Sequence, residues 1–229
     1  MDKRLVLERV KAAADDIAGA PTFTALRSGG MPSSVFAELV SQYRNLSIDF
    51  PRILCTIAAR IGSEEARLGL ITNLWDEHGR GNAREGHRAM LDAFIERFDP
   101  NLIETPHQSS WQTRLFLNAM GGVAASGSLS EALGMLLFFE AVTPLEYRAV
   151  IAWLSQSTDL RESDWRFWSD HVEHDGDHLR DLLDLTVQHE TLDPDALIQG
   201  VRQACAVEQC FWAQFSPDTT GVELAPHSR

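Results

Sequence analysis

The chain has few basic residues, almost no lysine and no long apolar segment. Its 229 residues include 20 Lys and Arg against 33 Asp and Glu, which gives a formal net charge of −13. Phosphate binding needs a concentrated basic surface, so this balance argues against a nucleic-acid partner. The longest apolar stretches, such as residues 133–139, are far shorter than the roughly 20 residues that cross a bilayer. We therefore expect neither a transmembrane helix nor a membrane partner.

Cysteine is also scarce, and its three copies form no recognisable framework. Cys55, Cys205 and Cys210 lie in apolar helical patterns rather than at the short spacing of a zinc or disulfide site. The N-terminal stretch is amphipathic and carries Glu8 and Asp15, whereas an export signal would be an uninterrupted apolar run followed by small residues. Both features predict a reduced, cytoplasmic protein.

Alternation of apolar and polar residues, which is typical of strands, is nearly absent. Helical periodicity instead runs along almost the whole chain. A length of 229 residues and a hydrophobic fraction of 44% suit one domain with a substantial core. We predict an all-α protein with a single helical domain over residues 1–216 and a polar C-terminal tail over residues 217–229.

Capping residues, glycines and prolines divide this domain into helices. Pro51 is expected to kink or break a long helix after Phe50, with a kink favoured, because proline lacks the backbone N–H that would bond to Ser47. Pro144 is expected to end a helix for the same reason, and residues 19–32 are expected to form a loop. The predicted helices cover residues 3–18, 33–60, 63–78, 84–98, 109–124, 129–142, 145–155, 164–189 and 194–215.

A row of candidate metal ligands lies near the start of the predicted helix 164–189. His171, Asp175 and His178 are four and then three residues apart, which places their side chains on one helical face. At about 100° per residue they fall within roughly 60° of one another, so all three could reach one metal ion. The alternative is a solvated polar face, but the surrounding aromatic and aliphatic residues favour partial burial. His174, at the margin of this face, is a competing ligand.

Glu77 and His87 form a second candidate pair. Glu77 lies at a predicted helix end beside Gly79 and Gly81, where its charge would meet the negative end of the helix dipole. A bound cation would remove this unfavourable interaction. A solvated C-terminal turn and an ordinary core histidine are the alternative interpretations of these two residues.

Glu140 is the third candidate, because it closes the strongly apolar run 136–139. Burial of this carboxylate without a partner would be costly or would force its protonation. A metal ion is the simplest partner for it. A salt bridge to Arg148 is the alternative.

With these residues in this order, the chain resembles the haem-oxygenase-like di-iron oxidases and oxygenases, which share a seven-helix bundle with haem oxygenase, thiaminase-II and pyrroloquinoline-quinone synthase. The resemblance rests on segment 73–81, Asn-Leu-Trp-Asp-Glu-His-Gly-Arg-Gly, which is similar to that family's acidic-glycine turn, and on the order and separations of the later candidates. It implies a haem-oxygenase-like seven-helix bundle that binds two iron ions. The implied ligands are Glu77, His87, Glu140, His171, Asp175 and His178. Some members add a carboxylate from the preceding helix, for which this chain offers only Asp49.

The resemblance also implies an activity. It implies a non-haem di-iron enzyme that uses dioxygen to oxidise a small amine, amino-acid or carboxylate metabolite in a biosynthetic pathway, by N-oxygenation or by oxidative cleavage of a carbon–carbon bond. A homodimer and an external electron donor are consistent with the family. The residues expected to line the substrate pocket are Trp75, Phe138, Phe139 and Trp168, with Arg52 and Arg148 as partners for a substrate carboxylate.

Two other functions remain open at this stage. The closing helix, with Glu208 and Cys210, is similar to that of thiaminase-II, a metal-independent hydrolase whose substrate site uses a glutamate and a cysteine. Such a hydrolase would have no need for six metal ligands, and Glu208 alone is more typical of an exposed helix residue. A helical protein that only holds iron is the third hypothesis, which metal content and turnover would distinguish from the first.

Overall fold

Helices make up the fold. A computed structural model describes residues 2–104, 107–188 and 192–217, and within these ranges it contains no strand, so the predicted all-α, single-domain fold is confirmed. All but the first residue of the predicted tail 217–229 lies outside the described residues. The helices of the described ranges are α1 (Lys3–Ala18), α2 (Pro21–Arg27), α3 (Ser33–Ser47), α4 (Phe50–Ala58), α5 (Glu64–Glu77), α6 (His87–Phe98), α7 (Asn101–Glu104), α8 (Trp111–Ser126), α9 (Leu129–Ser157), α10 (Arg166–Gln188) and α11 (Pro194–Ala213).

The predicted helix over residues 33–60 is broken near Pro51, which is the second of the two outcomes that this proline allowed; the favoured kink was wrong. It is divided into α3, which ends at Ser47, and α4, which has Pro51 in its first turn. Backbone N–H groups in the first turn of a helix have no acceptor within that helix, so proline causes no loss of a hydrogen bond there. The predicted loop over residues 19–32 was also wrong, since it contains α2, which begins at Pro21. In both segments a proline marks the start of a helix.

α9 is the central helix and packs against α1, α2, α8, α10 and α11. The sequence predicted two helices here, but α9 continues through Pro144. That proline removes the hydrogen bond to the carbonyl of Glu140 and costs about 3 kcal/mol in a helix interior. Residues 132–140 are all buried, and burial of each large apolar side chain contributes about 1.5–3 kcal/mol. The packing of α9 therefore outweighs the local cost of the proline.

α9 and α11 approach each other closely at two glycines. A Cβ atom added at Gly134 would lie 1.9 Å from the carbonyl oxygen of Leu197, and one added at Gly200 would lie 2.0 Å from the carbonyl oxygen of Glu131. Any larger residue would separate the two helices. This contact fixes α11, and with it Glu208, against the helix that carries Glu140.

In the part of the chain that the structure describes, no helix is both long and apolar enough to cross a membrane.

We predict that Gly200→Ala destabilises the protein by about 3 kcal/mol, the upper end for overpacking, because the added methyl group meets backbone rather than a flexible side chain. The free energy of unfolding from urea denaturation measures the effect. Gly122→Ala is the matched control: Gly122 lies within α8, and a Cβ atom added there would meet open space, so this change should raise stability by up to about 1 kcal/mol. Equal stability of the two variants would contradict the close helix contact.

Candidate metal centre

The structure brings all six candidate ligands together in two groups of three. Glu77, His87 and His171 form the first group, and the donor atoms of this group all lie within 4.8 Å of one another. Donor atoms of the second group meet the same limit, and its members are Glu140, Asp175 and His178. We call these groups site A and site B.

α10 contributes to both sites through one face. His171, Asp175 and His178 are 9%, 4% and 7% exposed, whereas His174 and Asp177 are exposed. The spacing of four and then three residues therefore predicted the buried face correctly. His171 contributes to site A, and the next two residues of the row contribute to site B, so α10 connects the two sites.

A tight turn after α5 brings Glu77 and His87 together. Gly79 has a φ of 63°, and a Cβ atom there would lie 2.5 Å from the backbone of Glu85, so only glycine fits. The chain reverses at this turn, and the Oε1 atom of Glu77 comes within 2.9 Å of the Nδ1 atom of His87. Glu77 indeed ends its helix, as predicted.

Electrostatics favour one neutral imidazole in site A. Burial, followed by the charge of His87, lowers the pKa of His171 well below its usual value. Its Nδ1 atom lies 2.7 Å from the carbonyl oxygen of Phe167, to which it donates, so its Nε2 lone pair is free to bind a metal. Burial opposes protonation of His87 as well, but the hydrogen bond and charge of Glu77 outweigh it and raise the pKa of His87.

Site B places two buried carboxylates beside one imidazole. The Nδ1 atom of His178 lies 3.5 Å from Oε2 of Glu140 and 3.8 Å from Oδ1 of Asp175. Burial, followed by the charge of Glu140, raises the pKa of Asp175 well above its usual value. Burial lowers the pKa of His178, but its carboxylate neighbours outweigh this and raise it to about 9. The other oxygen of Glu140 accepts a hydrogen bond of 2.6 Å from Asn73.

Arg148 does not balance the charge of site B. The sequence allowed a salt bridge from Arg148 to Glu140, but Arg148 is exposed, and in the described ranges neither Glu140 nor Asp175 pairs with a lysine or arginine. Mixed carboxylate and imidazole donors suit iron, and a divalent cation would relieve the repulsion between the two carboxylates. The donor set therefore fits iron.

Asp76 orients His178 from outside site B, a role that the sequence pattern did not indicate. Its Oδ2 atom accepts a hydrogen bond of 3.1 Å from Nε2 of His178, while its Oδ1 atom lies 2.6 Å from Nε of Arg80. Arg80 reaches back to Asp76 from a left-handed backbone conformation with a φ of 54°. A carboxylate on the far ring nitrogen directs the near nitrogen toward a metal.

The cavity beside the two sites is mostly apolar. Its empty volume is about 860 Å³, which includes its opening to solvent. Five of the six candidate ligands line it, all but His178. Its apolar lining includes Leu46, Phe50, Ile53, Phe116, Leu117, Met120 and Phe139. A substrate in this cavity would lie directly beside the candidate metal ligands.

A second, polar cavity of about 710 Å³ reaches His87 and His178 as well. His174, which the sequence offered as a competing ligand, lines this cavity, but its side chain is exposed and belongs to neither site. The centre can therefore be reached by a polar route that is distinct from the apolar cavity.

Phe139 is the one residue of the predicted pocket that lines the apolar cavity. Trp168 and Phe138 are fully buried in the core away from it, and Trp75 is 55% exposed. Nearness to a ligand in sequence misled here, because adjacent residues on a helix point in different directions. Arg52 and Arg148 are exposed outside the cavity, and Asp49 pairs with Arg52 instead of joining either site.

Three further polar residues of the centre, Asn73, Tyr43 and Glu146, were missed, and a fourth, Glu208, was interpreted as more typical of an exposed residue. Asn73 lies one helical turn before Glu77, and this spacing of four residues could have revealed it. Tyr43, Glu146 and Glu208 line the apolar cavity, and Glu208 is 3% exposed rather than on the surface as its sequence context favoured. No local pattern distinguishes these three, since they come from α3, α9 and α11.

The fold resembles those of several solved structures. A CADD-like protein of unknown function from Nostoc punctiforme superposes with a TM-score of 0.80 at 15% identity, covering 96% of this chain and 99% of that one. A TenA homologue from Pseudomonas syringae gives 0.72 at 12% identity, with coverages of 93% and 91%. A domain of unknown function with a haem-oxygenase-like fold from Shewanella denitrificans gives 0.71 at 15% identity, with 97% of each chain covered. These similarities confirm the predicted haem-oxygenase-like fold.

Sequence comparison identifies the family. No curated protein gives a significant match to the chain. The family model described as iron-containing redox enzyme, however, matches residues 37–209, which is more than half of the chain and includes all six candidate ligands. The chain therefore belongs to the family of iron-containing redox enzymes.

Proposed function

We propose that this protein is a non-haem di-iron enzyme that uses dioxygen to oxidise a small amine, amino-acid or carboxylate metabolite. The observation that carries the proposal is the pair of three-residue donor groups that meet beside one apolar cavity. Each group combines carboxylate and imidazole donors, which suits iron. Membership of an iron-containing redox family supports the same assignment.

The protein side chains supply binding, orientation and exclusion of water. Sites A and B would each hold one iron ion. Two ferrous ions, when bound, would supply the electrons that reduce dioxygen. The carbonyl of Phe167 and the carboxylate of Asp76 hold two of the imidazoles in the tautomer that can bind metal. Phe116, Met120 and Phe139 keep the adjacent cavity apolar, so that a substrate bound there displaces water from the centre.

A thiaminase-like hydrolase is less well supported. Among the described residues that line the cavity there is no cysteine, and Cys55 is exposed. The nucleophile of that alternative therefore has no counterpart beside Glu208. A protein that only holds iron would not need an apolar cavity next to its ligands.

The direct test is anaerobic loading with ferrous iron followed by addition of air-saturated buffer. We expect two iron ions per chain and a rate of oxygen uptake well above that of free ferrous iron at the same concentration. Iron content after desalting and an oxygen electrode measure the two quantities. Binding of no more than one ion, or uptake no faster than that of free iron, would contradict a di-iron oxidase.

Loss of one ligand should remove one ion. His171→Ala should empty site A and Asp175→Asn should empty site B, so each variant should retain about one iron per chain, and the double variant should retain none. Circular dichroism should show unchanged helix content. His174→Ala, which changes an exposed histidine of the same helix, is the control and should still bind two ions. Two ions in both single variants would refute the grouping of the ligands.

Asp76→Asn should weaken iron binding at site B about 10–100-fold, the usual effect of removing a carboxylate that orients a ligating histidine. Competition with a ferrous chelator would measure the two affinities separately. Asp177→Asn is the matched control, because Asp177 is exposed and pairs with Arg180 instead of a ligand. An unchanged affinity at site B would show that His178 does not depend on Asp76.

A further inference from the structure

The apolar cavity contains a second pair of carboxyl groups that belongs to neither metal site. Glu146 of α9 and Glu208 of α11 both line the cavity and are 1% and 3% exposed. The Nε1 atom of Trp212 lies 2.7 Å from an oxygen of each, so a single N–H is shared between them. Tyr43 donates a second hydrogen bond, of 2.9 Å, to Glu146. We call Glu146 and Glu208 the carboxyl pair.

No lysine or arginine partner of this pair lies in the described part of the chain. Within the ranges that the structure describes, neither carboxyl group forms an ion pair. The cavity lining contains no lysine or arginine, and its two histidines, His87 and His171, are candidate metal ligands of site A. The two exposed arginines that the sequence suggested for a substrate carboxylate do not reach the cavity. Among the described residues that line the cavity, the carboxyl pair therefore has no lysine or arginine beside it, and the two histidines belong to site A.

The pair gains negative charge as the pH rises through neutrality. Oxygens of both carboxyl groups lie 2.7 Å from the same Nε1 atom, and two buried carboxyl groups so close together disfavour ionisation of both at once. Burial raises the pKa of Glu146 to about 7, while burial and then the charge of Glu146 raise the pKa of Glu208 well above its usual range. The pair therefore keeps one proton while the other is lost as the pH rises past neutrality.

A buried charge without a counter-ion is unfavourable for the folded protein. Replacement by apolar residues of similar volume is often neutral or stabilising for buried charged groups. The carboxyl pair therefore stabilises the fold poorly, whereas a cation bound in the cavity would be strongly attracted to it in this weakly polar environment. Groups that cost stability and face a cavity are typical of ligand-binding sites.

We propose that Glu146 and Glu208 bind a protonated nitrogen group of the substrate, so that the enzyme acts on an organic cation with an apolar body and rejects carboxylates of the same size. The proposal rests on the proposed function, which places the substrate in this cavity. The apolar body would contact Phe116, Met120 and Phe139 between the carboxyl pair and the metal sites. Of the amine, amino-acid and carboxylate substrates considered above, this selects a substrate whose positive charge is its main polar feature.

Three probes of equal chain length test the recognition. Hexylammonium, 1-hexanol and hexanoate differ only in their head group, and calorimetric titration of the iron-loaded protein without oxygen gives the affinity for each. We expect hexylammonium to bind at least tenfold more tightly than hexanol, and hexanoate to bind more weakly than both. Hexylguanidinium in place of hexylammonium identifies which cation fits better. Hexanoate binding equal to or tighter than hexylammonium would overturn the proposal without any variant.

Substitution of the carboxyl pair tests whether these two residues bind the hexylammonium head group. Glu146→Gln and Glu208→Gln should each reduce hexylammonium affinity at least tenfold and leave hexanol affinity within a factor of two. Glu96→Gln, which removes an exposed carboxylate of α6, is the control for general attraction to this acidic protein and should change neither value. A purely structural role predicts a lower thermal midpoint for the glutamine variants with unchanged selectivity, and that result would overturn the proposal.

The experiments distinguish failure of cation binding by the carboxyl pair from failure of the proposed di-iron function. Both glutamine variants should still bind two iron ions, because neither residue belongs to site A or site B. Selective cation binding without iron-dependent oxygen uptake would leave this inference standing and refute the di-iron function. Oxygen uptake stimulated by hexanoate but not by hexylammonium would refute the inference and leave the di-iron function standing.

Discussion

Buried negative charge without a lysine or arginine partner is the constraint on which this structure depends. Glu140 and Asp175 meet inside the bundle, and only the imidazole of His178 lies between them and the second acidic neighbour, Asp76. Desolvated carboxylates in this arrangement favour either protonation or a bound cation. Among the described residues only an imidazole, that of His178, pairs with these buried carboxylates, and a metal ion would be a further partner of suitable charge and ligand preference.

The helices that carry these charges are held by contacts far from them. α9 supplies Glu140 to site B and Glu146 to the cavity, and it continues through Pro144 because its neighbours bury it. Its approach to α11 at Gly134 and Gly200 brings Glu208 next to Glu146. Metal ligation and substrate recognition, as proposed here, thus share one helix, and both depend on the same backbone contact. As a consequence, the carboxylates of site B and the carboxyl pair all line the apolar cavity.

Local sequence patterns predicted the ligands that lie on one element or at its end. The face of His171, Asp175 and His178 follows from 3.6 residues per turn alone, and Glu77 follows from the glycines that end its helix. The same reasoning failed for residues chosen by nearness in the chain, since Trp75 and Phe138 point away from the cavity. It also failed at Pro144, where proline was expected to end the helix. The burial of α9 against its neighbours outweighs this local effect, and that burial cannot be read from the sequence.

The sequence by itself determined that the protein is helical and that one helix presents three candidate ligands on a buried face, and the family resemblance suggested three more. Periodicity and end signals are properties of neighbouring residues, which is why they can be read without a structure. Only the tertiary structure decided that the six donors divide into two groups, that Asp76 and Asn73 support them, and that Glu146 and Glu208 meet in the cavity. The contacts of Asp76 with His178, Asn73 with Glu140 and Glu146 with Glu208 join residues between 62 and 102 positions apart, and only the packing of separate helices brings such residues together.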